Sequence, residues 1–178
     1  MHPMSEARLL PLSERFVGPV VRAMRVDDRR EVFATRFDDD PEALVRDLVA
    51  ASRFGVVLAR GAVPAVAMGA VECWPGVWSA WLIATDDWKR VARDATRYAR
   101  IAVLSVLARA GAHRCECRSI EGHHVAHRWL RHLGAREEAT HRGFGRNKET
   151  FITFVWRLDH VHALGTETQG TAAPAAPR

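Results

Sequence analysis

Three β-rich runs lie almost end to end between Phe54 and Ala84. FGVVLAR is broken by Gly61, VPAVAMGAVECW by Pro75-Gly76, and VWSAWLIA ends before Thr85-Asp86-Asp87. A parallel pairing needs a crossover of a dozen or more residues. The links here are far shorter, so the three runs are expected to pair as an antiparallel meander. That fixes the middle of the chain as sheet and leaves the flanks to cover it.

Upstream, Ala7 to Leu12 reads as a short strand and Ser13 as the N-cap of a helix from Glu14 to Met24. A polar stretch with Phe33 and Phe37 follows. Asp38-Asp39-Asp40-Pro41 then signals a helix start, with acidic caps and proline at the first helical position. That helix should run to about Ser52 and bury Leu44, Val45 and Leu48. Downstream, a long helix is expected from Trp88 to Ala110. Val91, Ala95, Tyr98, Ala99, Ala102 and Val106 share one face and Arg90, Arg93, Arg97 and Arg100 the other. Gly111 stops it. HRCECRSI, His113 to Ile120, alternates like a strand. A second helix ends at Gly134, and strands follow at Glu137 to His141 and Glu149 to Leu158.

The expected order is β-α-α-β-β-β-α-β-α-β-β: one α+β domain over residues 1–158, with a mixed, mostly antiparallel sheet and helices on both faces. The 178-residue length suits one core. Residues 159–178, rich in Ala, Pro, Thr and Gly, lack periodicity and are expected to form a disordered tail.

Charge and cysteine content narrow the function classes. The net charge is +5, nearly all of the positive charge being arginine. This favours acidic partners, phosphorylated cofactors or nucleic acid among them. Arg128, Arg131, Arg136, Arg142, Arg146 and Lys148 are the candidate phosphate contacts. Cys73, Cys115 and Cys117 have no C-x-x-C spacing, which argues against a disulfide framework or zinc cage. Cys115 and Cys117 should share a strand face and pack as small hydrophobes. The first residues lack the apolar core of a secretion signal, and no run is long enough to span a membrane. The expected location is a virion or a host bacterial cytoplasm.

HHVAHRWLRHLG, His123 to Gly134, is the densest cluster of chemistry-bearing side chains. On a helical wheel Val125, Ala126, Trp129, Leu130 and Leu133 form a core stripe. His123, His124, His127, Arg128, Arg131 and His132 fall outside it. His123 and His127 have metal-ligand spacing, but the glutamate of H-E-x-x-H is absent and no metal is expected.

The strand and helix around this segment resemble the C-terminal half of the GCN5-related N-acetyltransferase (GNAT) fold, whose usual stretch reads N-x-x-A-x-x-x-Y-x-x-x-G-F. His123 stands at the asparagine, Ala126 at the alanine, Leu130 at the tyrosine, Gly134 at the glycine and Ala135 at the phenylalanine. WLIATDD (Trp81–Asp87), ATRYARIAVLSVL (Ala95–Leu107) and HRWLRHLGA (His127–Ala135) are similar to the GNAT-like bacteriophage internal virion proteins, which share an R-W-L-R-x-L-G motif.

The resemblance implies acetyl-CoA held by a glycine-rich turn at the start of the long helix, where backbone amides meet the diphosphate. No glycine lies between Gly76 and Gly111, and Asp86 and Asp87 occupy the turn. Lys89, Arg90 and Arg93 are the side chains expected to replace it, with His123 as a further cofactor contact. The family's acidic tyrosine is replaced by Leu130. Glu72, at the end of the second meander strand, is the first candidate for general base, ahead of Glu116 and Glu121. The expected function is a phage or prophage virion or accessory protein with a degenerate acetyl-CoA site, its partners other virion proteins or nucleic acid. The alternative is a divergent acetyl-CoA-dependent N-acetyltransferase.

Overall fold

A computed structural model describes residues 7–158. The strands are β1 (Arg8–Pro11), β2 (Phe54–Arg60), β3 (Val63–Trp74), β4 (Val77–Ala84), β5 (Arg114–Ile120), β6 (Arg136–His141) and β7 (Phe151–Arg157). They form one sheet in the order β1-β2-β3-β4-β5-β7-β6. Every neighbouring pair is antiparallel except β4 and β5. The meander β2-β3-β4 forms as its short turns require. At its centre Gly69 leaves room for Trp81, since a Cβ there would lie 2.9 Å from the indole.

Helices α1 (Glu14–Arg22), α2 (Val26–Phe33) and α3 (Pro41–Ala51) precede the meander. The sequence reading missed α2. VDDRREVF carries five charged residues in eight, so no apolar periodicity marks it. At α3 the acidic start behaves as expected, Asp40 accepting the Glu42 amide at 2.8 Å, a cap interaction of about 1 kcal/mol. Val17, Val20 and Val21 of α1 and Leu44 and Val45 of α3 bury one face of the sheet against Val57, Ala67 and Ile83.

The opposite face is covered by the long helical rod and α6 (His124–His132). The rod comprises α4 (Trp88–Tyr98), a π-helical turn (Ala99–Val103) and α5 (Leu104–Arg109). A π turn inserts one residue into the helical register. The buried sequence is therefore Val91, Ala95 and Ala99, then Leu107, which is fully buried where a regular helix would bury Val106. Cys115 and Cys117 are buried in this same core.

The wheel of the histidine helix also needs correction. His123 and His127 are buried and Val125 is exposed. His123 precedes the helix, so helical periodicity does not govern its direction. His127 packs against Phe154 with ring centroids 5.0 Å apart. Residues 159–178, where the tail was expected, lie outside the described residues. No helix among the described residues is long and apolar enough to cross a membrane.

Candidate functional site

The parallel junction of β4 and β5 is short. Val77, Trp78 and Ser79 pair with Arg114, Cys115 and Glu116, and no ladder joins the strands beyond them. β4 nevertheless continues to Ala84 and β5 to Ile120. A cavity of about 560 Å³ occupies this region, a volume typical of small-molecule sites. Its wall includes Leu44 and Ile83 from the α1–α3 core and Leu107 and Leu130 from the α4–α6 core. The cavity therefore joins the two faces of the sheet through the gap between β4 and β5.

A polar network closes the C-terminal ends of these strands. Arg25 precedes α2 and grips Asp28 with two nitrogens, Nη2 to Oδ1 at 2.7 Å and Nε to Oδ2 at 3.1 Å. Asp28 Oδ2 also accepts the Ala84 amide of β4 at 2.7 Å. One turn later on α2, Glu31 Oε2 accepts three hydrogen bonds: the Ser119 hydroxyl at 2.6 Å, the Ile120 amide of β5 at 2.8 Å and His123 Nδ1 at 3.0 Å. His123 Nε2 faces Asp28 Oδ1 at 3.3 Å. One helix thus holds both strand ends with two carboxylates spaced i, i+3, so that they share a face.

The charge states follow from this geometry. Both His123 nitrogens face carboxylates, so the doubly protonated ring satisfies both contacts. Burial disfavours the imidazolium, but the hydrogen bond and charge of Glu31 and the charge of Asp28 outweigh it and raise the His123 pKa. Burial also pushes the Asp28 carboxyl up, against the opposing pull of Arg25, the Ala84 amide and His123. Arg25, the Ala84 amide and His123 all direct donors at the Asp28 carboxyl group.

Glu31 differs from Asp28 in exposure: its side chain is 19% exposed, that of Asp28 3%. All three bonds to Glu31 fall on Oε2, and Oε1 has no hydrogen-bond partner among the described residues. Glu31 lines the cavity. It is a held carboxylate with a free oxygen, as proton abstraction requires. Sequence reasoning passed over it with the rest of α2. The available signal was Asp28-x-x-Glu31 inside an acidic-to-basic octet.

The residues singled out from sequence do not converge. Of the candidate catalytic, cofactor and nucleic-acid contacts, only His123 lines the cavity. Glu72 lies beside the β3–β4 turn, opposite Trp78 and 3.6 Å from Arg53 Nε. Glu116 is bound by Arg114 and Arg118. Lys89, Arg90 and Arg93 are exposed on the outer side of α4. Of the proposed nucleic-acid contacts, Arg131 pairs with Glu137 and Arg146 with Asp39. Among the described residues no three His, Cys, Asp or Glu side chains converge as metal ligands.

Three backbone amides at the start of α4 bond within the turn. The Trp88 amide donates to the Thr85 carbonyl at 3.0 Å, the Arg90 amide to the Asp87 carbonyl at 2.9 Å and the Asp87 amide to Thr85 Oγ1 at 3.3 Å. Asp87 is paired with Arg90 at 2.9 Å and lies 3.8 Å from Arg60. The Trp88 ring meets Trp129 of α6 edge to face at 5.4 Å, and Arg25 sits 5.3 Å from the Trp88 ring. Trp129 is fixed in turn by a 2.9 Å bond from Nε1 to Thr96 Oγ1.

No family model matches the chain, and no curated protein matches it in sequence. Solved structures do match in fold. Ard1 from Thermoplasma volcanium superposes with a TM-score of 0.65 at 12% identity, over 85% of this chain and 97% of that one. An aminoglycoside 6'-acetyltransferase type Ii gives the same TM-score, identity and coverage. The yncA protein of Salmonella typhimurium, solved with acetyl-CoA, gives 0.63 at 11% identity over 96% of this chain and 99% of that one. The chain is a single α+β domain with the GNAT acetyltransferase fold, and at these identities the likeness concerns fold alone.

Proposed function

We propose that this chain is a divergent N-acyltransferase that uses a thioester donor in the gap between β4 and β5 and takes the acceptor's proton on Glu31. The observation that carries the reading is the cavity through the sheet with Glu31 in its wall, one oxygen of that carboxylate having no hydrogen-bond partner among the described residues. One structural neighbour, the yncA protein, is solved with acetyl-CoA as its cofactor, which supports a thioester donor for such a fold.

The two halves of acetyl-CoA fit differently. The gap is lined by Ala80, Leu82, Cys117, Ala126 and Leu130, a suitable wall for a narrow thioester arm. The start of α4 suits a diphosphate less well, because the Asp87, Trp88 and Arg90 amides bond inward and the Asp86 carboxylate adds negative charge there. The donor supplies an acyl group bound to sulfur. Glu31 Oε1 accepts the proton that the neutral amine's nitrogen loses as it adds to the thioester carbonyl. His123 and Ser119 hold that carboxylate at fixed orientation, and Arg25 with Asp28 fixes His123. Thioester and amine become amide and thiol, and the proton accepted by Glu31 is the one the thiol carries away.

A second reading is a phage virion or accessory component without catalysis. It is supported by the inward-bonded amides and by Leu130, buried where the resembling family carries tyrosine. Release of free thiol from millimolar acetyl-CoA or S-acetylpantetheine, in the presence of a panel of primary amines, separates the two. Amine-dependent release that is lost in Glu31→Gln supports the enzyme. Release at the uncatalysed rate with both donors supports the non-catalytic reading.

A further inference from the structure

The mismatch between the gap and the start of α4 points to a particular form of donor. We infer that the thioester arm reaches this chain on an acidic carrier protein, as an acylated phosphopantetheine, rather than on free CoA. The inference rests on the acyltransferase reading above and specifies its donor.

Three observations carry it. First, the gap offers a place for the arm, while several groups at the start of α4 are already bonded within the protein. The Thr85 and Asp87 carbonyls take the Trp88 and Arg90 amides, and the Asp87 carboxylate is held by Arg90. A donor anchored elsewhere has no need of that cradle. Second, the outer face of α4 carries an uncompensated basic ridge. Lys89, Arg93 and Arg97 recur at every fourth position and so stack along one line. All three are exposed, and among the described residues none has a carboxylate within ion-pair distance. Arg100 continues the line and bonds the His132 carbonyl of α6 at 2.6 Å, and Arg128 of α6 is also exposed. Third, Ile101 lies beside Arg100 on the π turn and is 62% exposed. A basic ridge ending in an apolar side chain is complementary to an acidic helical surface with an apolar spot. The inner side of this rod, at Trp88, Ala99 and Val103, is a wall of the cavity. A carrier seated on the outer side is therefore one helix away from the gap its arm must enter.

Charge complementarity makes the prediction specific. Attraction between the ridge and an acidic carrier steers association and weakens as salt rises. Free CoA has three phosphates but no surface to span the ridge.

The test compares three donors on the intact chain: acetyl-CoA, S-acetylpantetheine and an acidic acyl carrier protein bearing acetyl-phosphopantetheine. The variant is the double charge reversal Arg93→Glu, Arg97→Glu, at exposed positions outside the core. The carrier is expected to give a kcat/KM at least tenfold above acetyl-CoA. In the variant, the ratio of carrier to S-acetylpantetheine kcat/KM should fall at least tenfold. Calorimetry with an unreactive amide analogue on the carrier should show binding that weakens from about 50 to 300 mM salt and is lost in the variant. Acetyl-CoA outperforming the carrier, with KM for CoA raised in the variant, would mean that the ridge grips the nucleotide; this overturns the carrier inference and leaves the acyltransferase reading standing. Equal use of carrier and S-acetylpantetheine by wild type also overturns it. Turnover of none of the three donors overturns the acyltransferase reading, and the inference with it.

Discussion

His123 Nδ1 donates to Glu31 Oε2 at 3.0 Å across the unpaired ends of β4 and β5. The contact links the residue before α6 to a helix 92 positions earlier in the chain. It helps fix the carboxylate, because three donors occupy Oε2 while Oε1 has no hydrogen-bond partner among the described residues. Several outcomes depend on it.

Glu31→Gln keeps an acceptor oxygen and the side-chain shape but removes the base. Acyl transfer to a primary amine should fall about 10²–10⁴-fold in kcat, the usual contribution of a positioned base. The midpoint of thermal unfolding should change far less than for Glu31→Ala, which leaves the Ser119 hydroxyl, the Ile120 amide and His123 without their acceptor. Steady-state kinetics and melting curves on both variants check this.

The pH dependence of stability carries a definite sign. The folded-state pKa of His123 is raised. Its stabilising contribution is fully present below the unfolded value of about 6.5 and is lost as pH rises through the folded value. The stability gap between wild type and His123→Gln should therefore shrink on going from about pH 6 to pH 9 in urea titrations. Burial lowers the His127 pKa, so its shift runs opposite to that of His123, and it is common to both proteins compared. A gap that widens with pH contradicts the imidazolium assignment.

Asp28→Ala strips a half-buried guanidinium, a buried imidazolium and the Ala84 amide of one shared partner. Loss of one member of a buried ion pair typically costs about 3–5 kcal/mol. Denaturant unfolding should show a loss of that size, whereas Glu72→Ala, removing an exposed contact to Arg53, should cost under about 1 kcal/mol.

The π turn makes adjacent residues unequal. Leu107 is fully buried and lines the cavity, while Val106 is half-buried. Leu107→Ala should destabilise by about 2–5 kcal/mol and Val106→Ala by much less. A regular α-helix would reverse that order, so the pair of unfolding curves tests the register directly.

The sheet was legible because its determinants are local. Short breaks at Gly61 and Pro75-Gly76 force the meander, and Asp40-Pro41 starts α3 by its own chemistry. The site was not legible, for equally physical reasons. Asp28 and Glu31 sit in a charged octet whose helical state depends on tertiary partners, chiefly the Ala84 and Ile120 amides. His123 lies on the polar side of a wheel but outside the helix, where the wheel has no authority. The phase change at Ala99–Val103 leaves no mark in composition. The resemblance led toward the start of α4, whereas the polar groups gather at the start of α2.

The most direct test of the account is where a thioester arm binds. Trp81, Trp88, Trp129 and Trp156 line the cavity, while the other two of the six tryptophans, Trp74 and Trp78, do not. Titration of S-acetylpantetheine into protein labelled with ¹⁵N at the indole nitrogens reports on all six at once. The account predicts saturable shifts of Trp88 and Trp129, with Trp81 and Trp156 responding and Trp74 and Trp78 fixed. Unchanged signals at saturating ligand, or shifts confined to Trp74 and Trp78, would contradict a donor site between β4 and β5.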